Sequence, residues 1–217
     1  MSAKLRVAVL ISGRGSNLQA LIEACADANF PAQIVLVISN VAGAQGLERA
    51  RAAGIATEVI PHTGYDRRKL FDAAMDTSLV KAGAELICLA GFMRILGDTF
   101  VRKWQGRLIN IHPSLLPSFK GMAVHEQAIA AGVRISGCTV HYVIWELDSG
   151  PAIAQAAVAV RDDDTAESLA SRVLQAEHRL YPSALKLIAE GRVRLENGHA
   201  VFRDCPSTDG TLQNPME

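Results

Sequence analysis

The sequence carries no excess of charge of either sign, because 22 basic and 22 acidic side chains cancel. That balance excludes the broad basic footprint of a general nucleic-acid binder, although a local anion site stays open. Paired cysteines are missing too. Cys25, Cys88, Cys138 and Cys205 are far apart and form no C-x-x-C pair. A zinc knuckle and a redox dithiol are thereby excluded, and the four read as reduced thiols, Cys88 as a small core residue inside an apolar run. No apolar stretch is long enough to span a bilayer, and the first six residues run straight into a strand pattern, which points to a soluble cytoplasmic protein. There is no internal repeat, so solenoids and propellers fall away.

What is present is a succession of β–helix–β units. Residues 5–11 form an apolar run without polar alternation after Arg6, the signature of a central parallel strand covered on both faces. Ser12-Gly13-Arg14-Gly15-Ser16-Asn17 follows, and then Leu18, Leu21, Ile22 and Cys25 recur at helical spacing. Ser16 can cap this helix with Gln19 as its capping-box partner. Further strands are expected at 34–39, 56–60 and 86–90, and helices at 45–53, 66–81 and 98–104. For the helix at 66–81, Leu70, Ala73, Ala74 and Leu79 are the candidates for the buried side. Beyond Pro117 the reading gives a helix at 125–131 and neighbouring strands at 136–143 and 153–160. A long helix follows, capped by Asp164 with Glu167 and kinked at Pro182, and a terminal hairpin turns at Asn197-Gly198. Such a chain of 217 residues fits one large α/β domain, a doubly wound and mostly parallel sheet with an antiparallel addition near the C-terminus. Residues 203–217 hold little to bury and read as a disordered tail.

The stretch from Leu108 to Gly121 organises the rest. Leu108, Ile109 and Ile111 are of strand type, and Pro113, with no N–H, ends the ladder. Side chains alternate along a strand, so Asn110 and His112 share a face at the strand's C-terminal end, where open α/β sheets place their chemistry. An Asn amide can donate to a developing oxyanion, and His can move a proton near neutral pH. Together they suit acyl-type transfer. Two polar residues satisfied at a strand end would be the bland alternative, but a rigid, Pro-rich loop beside them favours a pocket.

Two other loops converge on the same crevice in this topology. The glycine loop leads into a helix N-terminus whose free N–H groups suit a phosphate. It is neither a P-loop, since no Gly-Lys follows, nor G-x-G-x-x-G, since Leu18 stands where the third glycine belongs. Gly91-Phe92-Met93-Arg94-Ile95-Leu96 carries apolar bulk that is either core-facing or a slot for a flat heterocycle. Asp148-Ser149-Gly150-Pro151 is by itself ordinary turn chemistry.

With those residues assembled, the sequence resembles the phosphoribosylglycinamide formyltransferase family. The resemblance runs through Phe202 and rests on Ile11 through Asn17, Leu89 through Leu96, Asn110-Ile111-His112-Pro113-Ser114-Leu115-Leu116-Pro117, Leu147-Asp148-Ser149-Gly150 and Ala176-Glu177-His178. It implies a Rossmann-like formyltransferase domain over residues 1–202. It also implies transfer of a formyl group from 10-formyltetrahydrofolate, a co-substrate, to the glycine amine of phosphoribosylglycinamide in purine biosynthesis, with no metal. Asn110, His112 and Asp148 match the catalytic trio. Gly15, Ser16, Asn17 and Glu177 match positions that hold the ribonucleotide. Arg68, Met93, Arg94, Ile95, Leu96 and Asn110 match the folate side. Leu174 replaces a polar or cationic residue of relatives, and Ile144 and Trp145 are bulkier than is usual. The implied partners are these small molecules, without nucleic acid or membrane, to a monomer or homodimer. Formyltetrahydrofolate hydrolase and methionyl-tRNA formyltransferase share such a core, but each resemblance would call for a further domain beyond 217 residues. A catalytically idle nucleotide-binding module would leave the Asn110, His112 and Asp148 constellation unexplained.

Overall fold

The computed structural model describes residues 3–205 together with 210, 213 and 214. Seven strands form one sheet: β1 (Leu5–Ile11), β2 (Ala32–Ser39), β3 (Thr57–Val59), β4 (Leu86–Leu89), β5 (Leu108–His112), β6 (Ile135–Tyr142) and β7 (Ala152–Ala159). Their order is β3-β2-β1-β4-β5-β6-β7. The first five pair in parallel, while β6 runs antiparallel to both β5 and β7. Two further strands, β8 (Val193–Glu196) and β9 (His199–Phe202), make a separate hairpin turning at Asn197 and Gly198. The expected doubly wound sheet with its antiparallel addition is therefore the observed one.

Helices cover both faces: α1 (Ser16–Ala26), α2 (Gln45–Ala52), α3 (Arg68–Lys81), α4 (Asp98–Lys103), α5 (Val124–Ala130) and α6 (Ala166–Ala189). The alternation of β1 divides the core between them. Val7, Val9 and Ile11 pack with α1, α2 and α6, and Ala8 and Leu10 with α3 and α4. Large side chains such as Trp104, Tyr142 and Tyr181 are wholly buried, each worth about 1.5–3 kcal/mol or more in burial. Tyr181 also turns its hydroxyl to the Leu89 carbonyl at 3.0 Å, which ties α6 beneath β4.

Three local expectations are corrected. No side chain caps α1; its N-cap is Gly15 at φ 69°, and Ser16 is already helical. The box at the start of α6 is Thr165 with Ser168, because Asp164 is occupied by the Arg172 guanidinium and the Arg161 N–H. On α3 the buried residues are Phe71, Asp72, Met75 and Leu79, with Leu70 exposed. The helix is rotated because the aromatic ring of Phe71, packed edge-on to Tyr65, buries more apolar area than Leu70 would. Pro182 lies inside α6, which runs unbroken to Ala189. Most of the tail expected to be disordered lies outside the described residues. Of what is described there, Asn214 donates to the Arg134 and Val160 carbonyls at 2.6 and 2.9 Å.

Candidate active site

β1, β4 and β5 are neighbours, with Leu10 beside Leu89 and Leu89 beside Asn110. The loops after all three strands thus emerge along one edge of the sheet, and hydrogen bonds stitch them together. Ser12 N–H donates to the Gly91 carbonyl at 3.1 Å, and the Met93 N–H donates to Ser12 Oγ at 2.7 Å. Ser12 Oγ in turn donates to Asn40 Oδ1 at 2.6 Å, adding the end of β2.

At the end of β5 the Pro-rich loop folds back over its own strand. Thr139 Oγ1, directly across from His112 on β6, donates to the Ser114 carbonyl at 2.7 Å and accepts from the Leu116 N–H at 3.0 Å. This returns Phe119 to the catalytic histidine candidate: His112 Nε2 lies 2.9 Å from the Phe119 carbonyl. On the other side of the ring, Nδ1 lies 3.4 Å from Asp148 Oδ2. The two nitrogens of this buried imidazole thus face a carbonyl and a carboxylate oxygen. Asp148 sits at φ 47° in the turn after β6 and accepts from the Gly121 N–H at 2.9 Å. The long His112–Asp148 contact suits a site that tightens around its ligand.

Asn110 faces a second histidine. His141 pairs across the ladder with Asn110, and its Nε2 lies 3.3 Å from Asn110 Nδ2. Its Nδ1 is 3.0 Å from the Tyr142 carbonyl, and Asp148 Oδ1 is 3.9 Å from Nε2. Burial pushes the His141 imidazole below its ordinary range; the Tyr142 carbonyl and the Asp148 carboxylate pull the other way, and His112 adds to the depression. The sequence reading gave His141 no role. The signal for it was there only once register is known, since Thr139 and His141 are the polar pair on the face of β6 opposite His112 and Asn110.

The glycine-loop corner is closed and polar. Asn17 Nδ2 donates to Glu177 Oε2 at 2.7 Å, and both residues are buried. Asn17 Oδ1 is buried with no protein partner. Burial pushes the Glu177 carboxyl up, opposed by that bond from Asn17. Gly15 is buried against α2: a Cβ there would come within 2.6 Å of the Gly46 Cα. Ser16 lines a hollow of about 280 Å³ with Gln19, Glu23, Arg49 and His178. Of the consecutive Gly15, Ser16 and Asn17, it is Asn17 that reaches Glu177, while Ser16 shares its hollow with the neighbouring His178.

The other side is open. Met93 and Ile95 are 70% and 65% exposed, whereas Phe92 and Leu96 of the same loop pack against the core, so the loop after β4 divides its apolar bulk between solvent and core. A cavity of about 810 Å³ gathers Arg68, Ile95 and Leu96 with Phe100, Asp72 and Trp145. Met93, Arg94 and Asn110 do not line it; Met93 joins the site through Ser12 instead. Among the described residues no cluster of His, Cys, Asp or Glu is arranged to hold a metal ion, and no helix is long and apolar enough to cross a membrane.

Comparison with known proteins bears on the family and the fold. The sequence pattern of the formyl transferase family matches residues 5–185. A trifunctional purine biosynthetic protein adenosine-3 of Bos taurus is 56% identical over 90% of the chain, which spans only 19% of that longer protein. Phosphoribosylglycinamide formyltransferase of Escherichia coli (strain K12) is 43% identical over 90% of this chain and 92% of its own length. A crystal structure of glycinamide ribonucleotide transformylase 1 from Symbiobacterium toebii superposes with a TM-score of 0.91 at 44% identity, covering 94% of this chain and 96% of that one.

Proposed function

The chain belongs to the formyl transferase family, and we propose that it transfers a formyl group from 10-formyltetrahydrofolate to the glycine amine of phosphoribosylglycinamide, a step of purine biosynthesis. The observation that carries this reading is His112 held between the Phe119 carbonyl and Asp148, with Asn110 two residues before it on the same strand. A neutral amine is already a nucleophile, so the reaction needs no serine, cysteine or metal from the protein. Its difficulty is the charge and proton movement of the tetrahedral intermediate.

Asn110 donates to the oxyanion formed when the amine adds to the formyl carbon. The imidazolium of His112 stabilises the same oxygen and supplies the proton that the folate nitrogen takes up as its bond to the formyl carbon breaks. Asp148 holds the imidazolium and organises a water-mediated path for the proton that the amine nitrogen loses once it has added to the formyl carbon, which returns His112 to its starting charge. The products are the formylated amide and tetrahydrofolate, so atoms and charge balance. Gly15, Ser16 and Asn17 would offer the start of α1 to the phosphate, with Glu177 also against the ribonucleotide, and Arg68 with residues 93–96 would flank the folate. The reading carries with it a cytoplasmic location, small-molecule partners without nucleic acid or membrane, a monomer or homodimer, and residues 1–202 as the catalytic domain ahead of a tail.

The test follows folate deformylation with purified protein and formyl-folate, offered the ribonucleotide, water alone or methionyl-tRNA. Turnover should depend on the ribonucleotide; turnover with water or tRNA instead would reject the reading. Asn110→Ala and His112→Ala should each lower kcat by about 10²–10⁴-fold with both ligands still bound, and the double variant should lose less than the product of the two.

A further inference from the structure

We propose that His141 is a positioning residue, which in its neutral form fixes the amide of Asn110 so that the amide edge needed for the oxyanion faces the reaction, an inference that rests on the function proposed above. Each atom around the ring has one possible role. The Tyr142 carbonyl, 3.0 Å from Nδ1, can only accept, so Nδ1 carries a hydrogen. The Asn110 amide nitrogen, 3.3 Å from Nε2, can only donate, so Nε2 carries a lone pair. The ring is 2% exposed, and burial, which outweighs the opposing pull of Asp148, disfavours the charged form. The charged groups that face it are Asp148, whose Oδ1 stands 3.9 Å from Nε2, and His112.

One amide hydrogen of Asn110 is thereby committed to His141, and the second is left for a ligand. An Asn amide can turn over at little intrinsic cost, because its oxygen and nitrogen are nearly isosteric. A fixed acceptor beside it removes that freedom, the preorganisation on which oxyanion stabilisation depends. Protonation of Nε2 would set two donors face to face and turn the amide over. It would also give Asp148 a second cation to hold, at the expense of its contact with His112. His141 is therefore a pH-sensitive support for both halves of the trio, and acid should disable the site through it.

Two substitutions separate this role from mere core filling. His141→Gln places an amide oxygen near the position of Nε2 and keeps an acceptor that does not titrate. His141→Phe keeps bulk but removes the acceptor. The Phe variant should lose about 10- to 100-fold in kcat, less than the 10²–10³-fold cost of deleting an oxyanion donor, with KM for both ligands within about twofold. The Gln variant should keep most of the neutral-pH turnover and move the acid limb of its kcat profile to lower pH. Nitrogen-15 NMR of labelled histidines in the parental protein should give the Nδ1–H tautomer for His141 at neutral pH, a readout that requires neither activity nor a folded variant. Parental kcat in a folded His141→Phe, an unmoved acid limb in His141→Gln, or an Nε2–H tautomer would each overturn the proposal. A parental protein that shows the Nδ1–H tautomer but no ribonucleotide-dependent transfer would instead reject the function and leave the geometry of His141 standing.

Discussion

The two flanks of the crevice are built on opposite principles. On the glycine-loop side, backbone meets backbone: Gly15 packs on Gly46, the Gly46 N–H donates to the Gly13 carbonyl at 3.1 Å, and Asn17 is bonded to a buried Glu177. On the side of the loop after β4, Ile95 and Trp145 stand 65% and 71% exposed around an open cavity, and Met93 of the same loop is 70% exposed outside it. The first flank is finished before any ligand arrives, and its energetic cost falls on folding. The second leaves apolar surface in water, which only a bound apolar partner can cover. Changes to the packed backbone of the closed flank should therefore cost stability and binding together, whereas changes on the open flank should cost binding alone.

Gly15→Val should have the largest effect and would break the comparison if it did not. A β-branched residue at φ 69° is strained by about 1–3 kcal/mol. Its Cβ would meet the Gly46 Cα at 2.6 Å, adding a further ~1–3 kcal/mol of overpacking. Thermal denaturation should show a Tm lower by several degrees, and calorimetry should show ribonucleotide binding weakened far more than formyl-folate binding. Ser16→Ala, which meets no such contact, should weaken ribonucleotide binding and leave Tm unchanged. A Gly15→Val protein of parental Tm would mean that α2 can move away, and the closed flank would not be preformed.

Much of this contrast was legible in the sequence, for identifiable reasons. Parallel strands covered on both faces leave unbroken apolar runs, and Pro113 marks the end of β5, so the order of elements and the position of Asn110 and His112 follow from residues alone. Caps were harder. Ser16 with Gln19 satisfies the capping pattern, yet Gly15 in the left-handed region already sets the entry to α1. At α6 the pattern shifted by one residue because Arg172 claims Asp164. Neither competitor is visible locally. The apolar loop at 91–96 could be read as core or slot, since exposure is decided by what lies above it. The link from Asp148 to His112 joins a turn to the end of a strand 36 positions earlier, and His141 faces Asn110 only through the register of an antiparallel pair. Tertiary pairing, not propensity, made those contacts, and residue patterns do not encode it.

Glu177→Gln sharpens the same contrast with a smaller effect, in which stability and binding move apart. Burial raises the Glu177 carboxyl above its ordinary range, so its ionisation is less favourable in the folded chain than in the unfolded one. Its contribution to stability is fully present below the unfolded value and is lost as pH rises through the folded value. Near pH 7 the charge is thus a burden on the fold, and a neutral Gln that still accepts from Asn17 relieves it. Glu177→Gln should raise Tm near pH 7, with the gain vanishing towards pH 4. Ribonucleotide affinity should fall by about tenfold, the scale of one charge-assisted hydrogen bond. A gain in Tm that does not depend on pH would show that packing, not charge, is responsible.

The smallest effect is expected on the open flank. Trp145 is 71% exposed and lines the cavity with Arg68 and Leu96. Truncating an exposed side chain that supports no other residue usually changes stability by less than about 0.5 kcal/mol. Its indole has apolar area to offer only when something flat lies against it, and covering a fraction of that face is worth about 1 kcal/mol, near fivefold in affinity. Trp145→Ala should therefore leave Tm and ribonucleotide affinity at parental values and weaken formyl-folate binding about fivefold, measured by quenching of the remaining fluorescence or by calorimetry. The loss should appear as a smaller negative heat-capacity change on binding, because less apolar surface is removed from water. A fall in Tm would place Trp145 in the fold rather than over the cavity, and equal weakening of both ligands would show that the two flanks are coupled through the turn that carries Asp148.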